Sequence, residues 1–264
     1  LGFGGWRVKT NRGAVSKPFG KEGTRMRTVL VTGGSRGIGA ACVRAFAQAG
    51  WRVAFLYRAS QTQAQALVSA TGALAVQADV SDSAQVNAAC EKALRELRHI
   101  DALINNAGVS LVRQLQDTTD EEWRRVLDVN LTGAFYVTRA VLPSMLSAGI
   151  GSIVNISSVW GQVGGSTEVA YSAAKAGLIG FTKALAQEIG PSGVTVNAIA
   201  PGATRTDMLK QYDEDTLRAI AREAPLGRLC EPMEIARVAL WLCSDDAAMM
   251  TGQVLGVNGG RVMQ

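Results

Sequence analysis

The stretch that most constrains this chain is residues 32–39, TGGSRGIG, set between an apolar run (27–31, RTVLV) and a helix-forming stretch (40–50). A second apolar run, RVAFLY at 52–57, follows. Strand, glycine-rich turn, helix and strand in this order make a βαβ unit of the dinucleotide-binding kind. The glycines at 33, 37 and 39 give a GxxxGxG spacing. Positions without side chains let the backbone turn tightly and approach a pyrophosphate, whose charge meets the helix N-terminus. Gly33, Ser35, Arg36, Gly37, Ile38 and Gly39 are therefore read as the cofactor-binding loop.

The end of the second strand chooses between the two nicotinamide dinucleotides. An Asp or Glu there would hold the ribose 2′-OH of NAD. This chain has Tyr57, Arg58, Ala59 and Ser60 instead. Arg36 in the turn and Arg58 at the strand end are two guanidinium groups able to clamp a 2′-phosphate. The expected cofactor is NADP(H).

The alternation then continues. Apolar runs end at Asp79-Val80, at NNAG (105–108), before Ser158 and at Pro201-Gly202, with a last one at 253–257. Helical patterns fall between them, among them 81–98 with Ser81 as N-cap, 120–147 with Asn130 near its middle, 214–222 and 232–243. The expected fold is α/β, a single-domain Rossmann-type doubly wound parallel sheet of seven strands with helices on both faces. Ligands on such a sheet bind beyond the carboxyl ends of the strands. Gly33, Asp79, Asn105, Ser158 and Pro201 all fall there.

One of these helical stretches carries proton chemistry. Tyr171 and Lys175 are four residues apart and share a helix face. An ammonium beside a phenol favours the phenolate, lowering the phenol pKa from ~10 by roughly 1–3 units. A phenol so tuned can serve as a general acid–base. Ser158, on the loop after the apolar run 152–156, supplies a hydroxyl for a substrate oxygen. Its neighbour Ser157 should point the other way and be structural.

Charge excludes one class of partner. The net charge is +5. Residues 1–25 hold six Lys/Arg against Glu22, leaving 21 basic and 21 acidic residues in the remainder. The basic character belongs to that leader, read as disordered or non-native, with Met26 as the native start and 26–264 as the folded domain. The neutral remainder gives no polyanion signal, so no nucleic acid is expected. No apolar run reaches the ~18 residues of a membrane span, and a cytoplasmic protein is expected. Cys42, Cys90, Cys230 and Cys243 lack metal spacing and read as reduced thiols. With His99 the single histidine, neither a His-based triad nor a metal site is expected.

Taken together, the TGGSRGIG turn, Asp79-Val80, NNAG, Asn130, Ser158 with Tyr171-x-x-x-Lys175, and Pro201-Gly202 make the chain resemble the short-chain dehydrogenase/reductase family over 27–260. The resemblance implies Tyr171 as general acid/base, Ser158 as carbonyl polariser, Lys175 on the nicotinamide ribose, and Asn130 holding a relay water. It implies cofactor contacts from Asp79, Val80, Asn106, Ala107, Gly108, Pro201, Gly202, Thr204 and Thr206. It also implies a homotetramer, for which Ala173, Ala174, Ala176 and Gly177 offer a small-residue face. Residues 204–230 should form a lid over the substrate.

Within the family the chain is similar to the 3-oxoacyl-carrier-protein reductases, in TGQVLGVNGG (251–260) and SAAKAGLIGFTKALA (172–186). The implied activity is NADPH-dependent reduction of a small or thioester-linked ketone, one carried on a protein included. Two departures stand out. The stretches 147–151 and 190–193, where an acidic carrier would dock, hold no Lys or Arg. Glu168 lies three residues before Tyr171. The surrounding pattern is also similar to a subgroup that reduces a 5-aminopentanone group on elongation factor P, and a carboxylate there would suit an amine. A further alternative is a catalytically silent NADP-binding regulator.

Overall fold

Each apolar run becomes a strand of one sheet in the computed structural model, which describes residues 26–263. The leader expected over 1–25 lies outside the described residues. The strands are β1 (Thr28–Thr32), β2 (Arg52–Tyr57), β3 (Leu74–Gln77), β4 (Ala102–Asn105), β5 (Gly151–Ile156), β6 (Val194–Pro201) and β7 (Val254–Val257). They lie in the order β3-β2-β1-β4-β5-β6-β7, every pair parallel. Connections from β1 wind outward to one side and those from β4 to the other, so the sheet's ligand crevice opens between these two strands.

The helices are α1 (Gly37–Gln48), α2 (Gln61–Thr71), α3 (Ser83–Leu97), α4 (Asp120–Leu127), α5 (Gly133–Ala148), α6 (Val159–Val163), α7 (Val169–Ile189), α8 (Glu214–Arg222) and α9 (Pro232–Leu242). One face of the sheet is sealed by a core that includes Phe46 of α1, Phe55 of β2 and Ile235 and Leu242 of α9. The other includes Leu30, Leu103, Met145 of α5 and Leu185 of α7. Strands covered on both faces have no polar alternation, and β1, β4 and β5 are buried at every position.

At the amino ends of the strands a polar pin joins β1 to β4. The Asp101 carboxylate accepts from the Thr28 N–H at 2.8 Å and the Thr28 hydroxyl at 2.9 Å. His99 Nδ1 lies 2.8 Å from Ser144 Oγ and its Nε2 3.4 Å from Asp101. This is the opposite end of the sheet from the carboxyl ends where ligands bind.

Three local expectations are corrected. The N-cap of α3 is Asp82, whose carboxylate accepts from the Ala84 and Gln85 N–H groups. Ser81 instead donates its N–H and hydroxyl to Asp79 Oδ1. The long helix at 120–147 is interrupted, since Asp128–Thr132 takes a π-turn between α4 and α5. One added residue in the turn re-aims the side chains within it, and Asn130 is one of them. Finally, Ser158 is followed by a short helix, α6, rather than an open loop.

The small-residue face on α7 is only partly free. Ala174 is fully buried, and a Cβ at Gly177 would stand 2.8 Å from Leu131. Ala173 and Ala176 alone among the four are exposed.

Candidate active site

The glycine turn is required by packing before any ligand is considered. A Cβ at Gly39 would stand 2.2 Å from the Gly33 carbonyl oxygen, and Gly33 and Gly37 have positive φ values of 63° and 55°. α1 then starts with no side-chain cap and no acid in its first turn. Its first N–H groups are left to an anion. Asn106 holds the turn in place by donating to the Thr32 and Gly33 carbonyls at 2.9 and 3.2 Å. Thr32 Oγ1 returns the link, accepting from the Asn106 and Ala107 N–H groups at 2.9 Å each. The sequence reading missed Thr32, which reveals itself only when β1 and β4 are paired.

Where the sequence places the adenosine, α2 also starts with neither a side-chain cap nor a first-turn acid. Arg58 stands beside it, with Nη1 3.6 Å from Asp79. Burial lifts the Asp79 carboxyl, but hydrogen bonds from Ser81 and the Arg58 guanidinium outweigh it and hold the group below its ordinary range. Arg36 pairs with Asp207 at 3.7 Å. Both arginines are half exposed or more, so these pairs are loose and worth little. Val80 packs under the first turn of α5, where a Cβ at Gly133 would stand 2.9 Å from it.

The residues expected at the nicotinamide come from several separate segments. A Cβ at Gly108 would lie 2.6 Å from Asn130 Oδ1 and 3.5 Å from Lys175 Nζ. Asn130 Nδ2 donates to the Val109 and Val126 carbonyls at 2.8 and 2.9 Å. Among the described residues its Oδ1 is buried with no hydrogen-bond partner. An unpartnered buried acceptor is costly unless a ligand or water completes it. Thr206 sets its methyl against Gly37, and Thr204 turns its hydroxyl to the Gly202 carbonyl at 2.9 Å. Gly202 lies where a Cβ would stand 3.0 Å from Asn258, so Pro201-Gly202 closes against the loop after β7. A dinucleotide fits this set: bare helix starts for phosphates, a glycine cradle, and an open acceptor beside an ammonium.

Tyr171, Ser158 and Lys175 come together as their spacing suggests. Lys175 Nζ lies 5.6 Å from the Tyr171 ring centroid and donates to the Ile156 carbonyl at 2.8 Å. Ser158 Oγ caps α6 by accepting from the Trp160 N–H at 3.1 Å, and it is hydrogen-bonded to Tyr171. Ser157 turns away and donates to the Lys175 carbonyl at 2.9 Å, a structural role.

The electrostatics depart from expectation. Burial pushes the Tyr171 phenol up to about 12, with the Ser158 hydrogen bond opposing and the Glu168 charge adding to the rise. Burial pulls the Lys175 ammonium down to about 8. In the protein alone, then, desolvation outweighs the cation's pull on the phenol. Tyr171 holds its proton at neutral pH.

Glu168 is not a freely solvated loop charge. It is half-buried, and burial raises its pKa against a hydrogen bond from the Trp160 side chain and the field of Arg261. Trp160 and Arg261 had no signal in the sequence reading. Arg261 meets Trp160 and Glu168 from the far end of the chain.

The two stretches without basic residues, 147–151 and 190–193, meet each other, since a Cβ at Gly193 would stand 2.5 Å from the Gly149 carbonyl. They precede β5 and β6 and so lie at the amino ends of the strands. Their lack of charge bears on that end of the sheet, away from Ser158 and Tyr171.

Residues 33–261 match the family model described as enoyl-(acyl carrier protein) reductase. An acetoacetyl-CoA reductase of Shinella zoogloeoides is 44% identical over 236 residues, 89% of this chain and 98% of the relative. The 3-oxoacyl-[acyl-carrier-protein] reductase of Synechocystis sp. is 43% identical over 243 residues, 90% of this chain and 97% of the relative. The enzyme of that name from Escherichia coli K12 is 40% identical over 239 residues, 90% and 98% of the two chains.

Proposed function

Since the chain belongs to the short-chain dehydrogenase/reductase family, whose members oxidise CH–OH or reduce C=O with a nicotinamide cofactor, we propose that it is an NADPH-dependent reductase of 3-oxoacyl thioesters. Ketone substrates are favoured over the enoyl description of the family model because the named relatives agree on ketones. The observation that carries the reading is the convergence of Ser158, Tyr171 and Lys175 on one edge of the crevice, beside the unpartnered Asn130 Oδ1.

Held in this crevice, a nicotinamide would supply the hydride that reduces the ketone carbon. The electron pair of the C=O bond passes to oxygen, and Tyr171 gives that oxygen its proton. A phenol at about 12 is fully protonated at neutral pH, as the acid of a reduction must be. Ser158 donates a hydrogen bond to the same oxygen, where negative charge grows in the transition state. Lys175, charged below about 8, then stabilises the phenolate left behind. Asn130 Oδ1 accepts from a relay water that returns a proton to Tyr171.

NADPH rather than NADH is supported by the absence of an acid at the end of β2 and by Arg58 beside the uncapped start of α2. The experiment is turnover of NADPH with an acetoacetyl thioester. Tyr171→Phe is expected to lose roughly 10²–10⁴ in kcat with NADPH binding kept. Full activity in that variant would refute the proton assignment, and NADPH binding without turnover by the unmodified protein would point to the silent regulator. Arg58→Asp is expected to move the kcat/KM ratio roughly tenfold toward NADH, through loss of a charge-assisted contact. An unchanged ratio would place the 2′-phosphate elsewhere.

A further inference from the structure

Beyond the crevice lies a second cavity, of about 460 Å³, lined by residues of α8, of 224–230 and of 256–261. Its walls are largely apolar, with Ile220, Ala224, Leu226, Leu229 and Val257. Nothing in the proton chemistry uses it. It does touch the crevice, because Gly202 and Ala203 also line it.

Arg261 stands between the two. It lines the cavity, and its guanidinium carbon lies 4.4 Å over the Trp160 ring, two residues past Ser158. The guanidinium is also ion-paired with Glu223 at the end of α8, and its side chain is only 19% exposed. Trp160 is braced from below, since a Cβ at Gly165 would stand 2.8 Å from its ring. Its side chain is hydrogen-bonded to Glu168 at the start of α7. An indole fixed on two sides and capped by a paired guanidinium forms a wall, polar where the guanidinium lies.

We propose that Arg261, clasped between Trp160 and Glu223, is the partition that limits the acyl chain of the substrate to a short one by closing the apolar cavity behind it. This rests on the 3-oxoacyl thioester reading above. The partition is a specificity-determining residue and takes no part in proton transfer. Glu223 is about half exposed and the half-buried Glu168 keeps its hydrogen bond from Trp160, so removing Arg261 strands no fully buried charge.

The test compares kcat/KM for acetoacetyl, 3-oxooctanoyl and 3-oxododecanoyl thioesters of N-acetylcysteamine. The unmodified enzyme should prefer the acetoacetyl substrate over the 3-oxooctanoyl one by roughly tenfold or more. Arg261→Ala should reduce that preference to about threefold or less, because the longer chain gains an apolar cavity. Glu223→Gln, which releases the clasp but keeps the guanidinium, should fall between the two. A preference unchanged in Arg261→Ala, or an unmodified enzyme that accepts all three chains equally, overturns the partition. If no 3-oxoacyl thioester is reduced by the unmodified enzyme, the substrate reading fails first and the partition with it. Should Arg261→Ala fail to bind NADPH, Glu223→Gln decides by the same ratio.

Discussion

α7 carries Tyr171 and Lys175 while α8 lines the cavity beyond the crevice, and the two are built in opposite ways. α7 spans 21 residues and buries nine of them, Lys175 and Thr182 among them. α8 spans nine residues and buries none. α7 is bonded into the sheet through Lys175 to Ile156, through Ser157 to its own backbone, and through Thr182 to Asn155. α8 is held by the Asp213 cap and by its ends, where the Arg261–Glu223 pair meets the 203–230 segment. That segment is tied at its base by Thr204 and Cys230, whose flanking N–H groups exchange bonds with the Cys230 and Ala203 carbonyls at 2.9 Å each. The contrast teaches where precision is kept. Proton transfer needs groups held within a fraction of an ångström, whereas admission of substrate needs an element that opens at small cost.

The sharpest way to break the comparison is at Lys175. Its ammonium is pulled down to about 8 in the fold, against 10.5 when free. Below pH 8 both states carry the proton, and folding bears the full cost of burying the charge. Between about 8 and 10.5 the unfolded chain holds a proton the folded one has released, so stability rises with pH. Lys175→Met is therefore expected to lose roughly 10²–10⁴ in kcat while gaining roughly 1–3 kcal/mol of stability at pH 7. Urea melts at pH 7 and 9.5 should show that gain shrinking at the higher pH. A variant destabilised at both would mean that α7 needs its buried ammonium to hold together.

A smaller effect is expected at the start of α7. Glu168 adds to the rise of the Tyr171 phenol, so Glu168→Gln should move the rising limb of alcohol oxidation, which needs the phenolate, to lower pH. An unmoved limb in the pH–rate profile would separate Glu168 from the proton chemistry. The smallest effect concerns α8. Asp213 accepts from the Thr216 N–H at 2.8 Å, and Asp213→Ala should fray the helix without changing the global melting temperature. Amide exchange should quicken in 214–222 alone, with KM for the thioester rising a few-fold. A lowered melting temperature would show α8 to be part of the core.

Much of this was legible because it is local. The glycine turn, the seven apolar runs and the four-residue step from Tyr171 to Lys175 each follow from residues within one turn or strand. The cap of α3 was misassigned by one residue, because both Ser81 and Asp82 can cap and only the bond from Ser81 to Asp79 breaks the tie. The π-turn that aims Asn130 is invisible to a periodicity of 3.6 residues, since it breaks that periodicity by a single residue.

Sequence alone determined the architecture and nominated the groups of the candidate site, since backbone preference and side-chain chemistry belong to the residues themselves. Tertiary structure decided the sign of the Tyr171 shift, the burial of Glu168 and the clasp at Arg261. Desolvation depends on everything packed around a group, and Trp160, Glu223 and Arg261 meet only after the strands between them have been laid side by side.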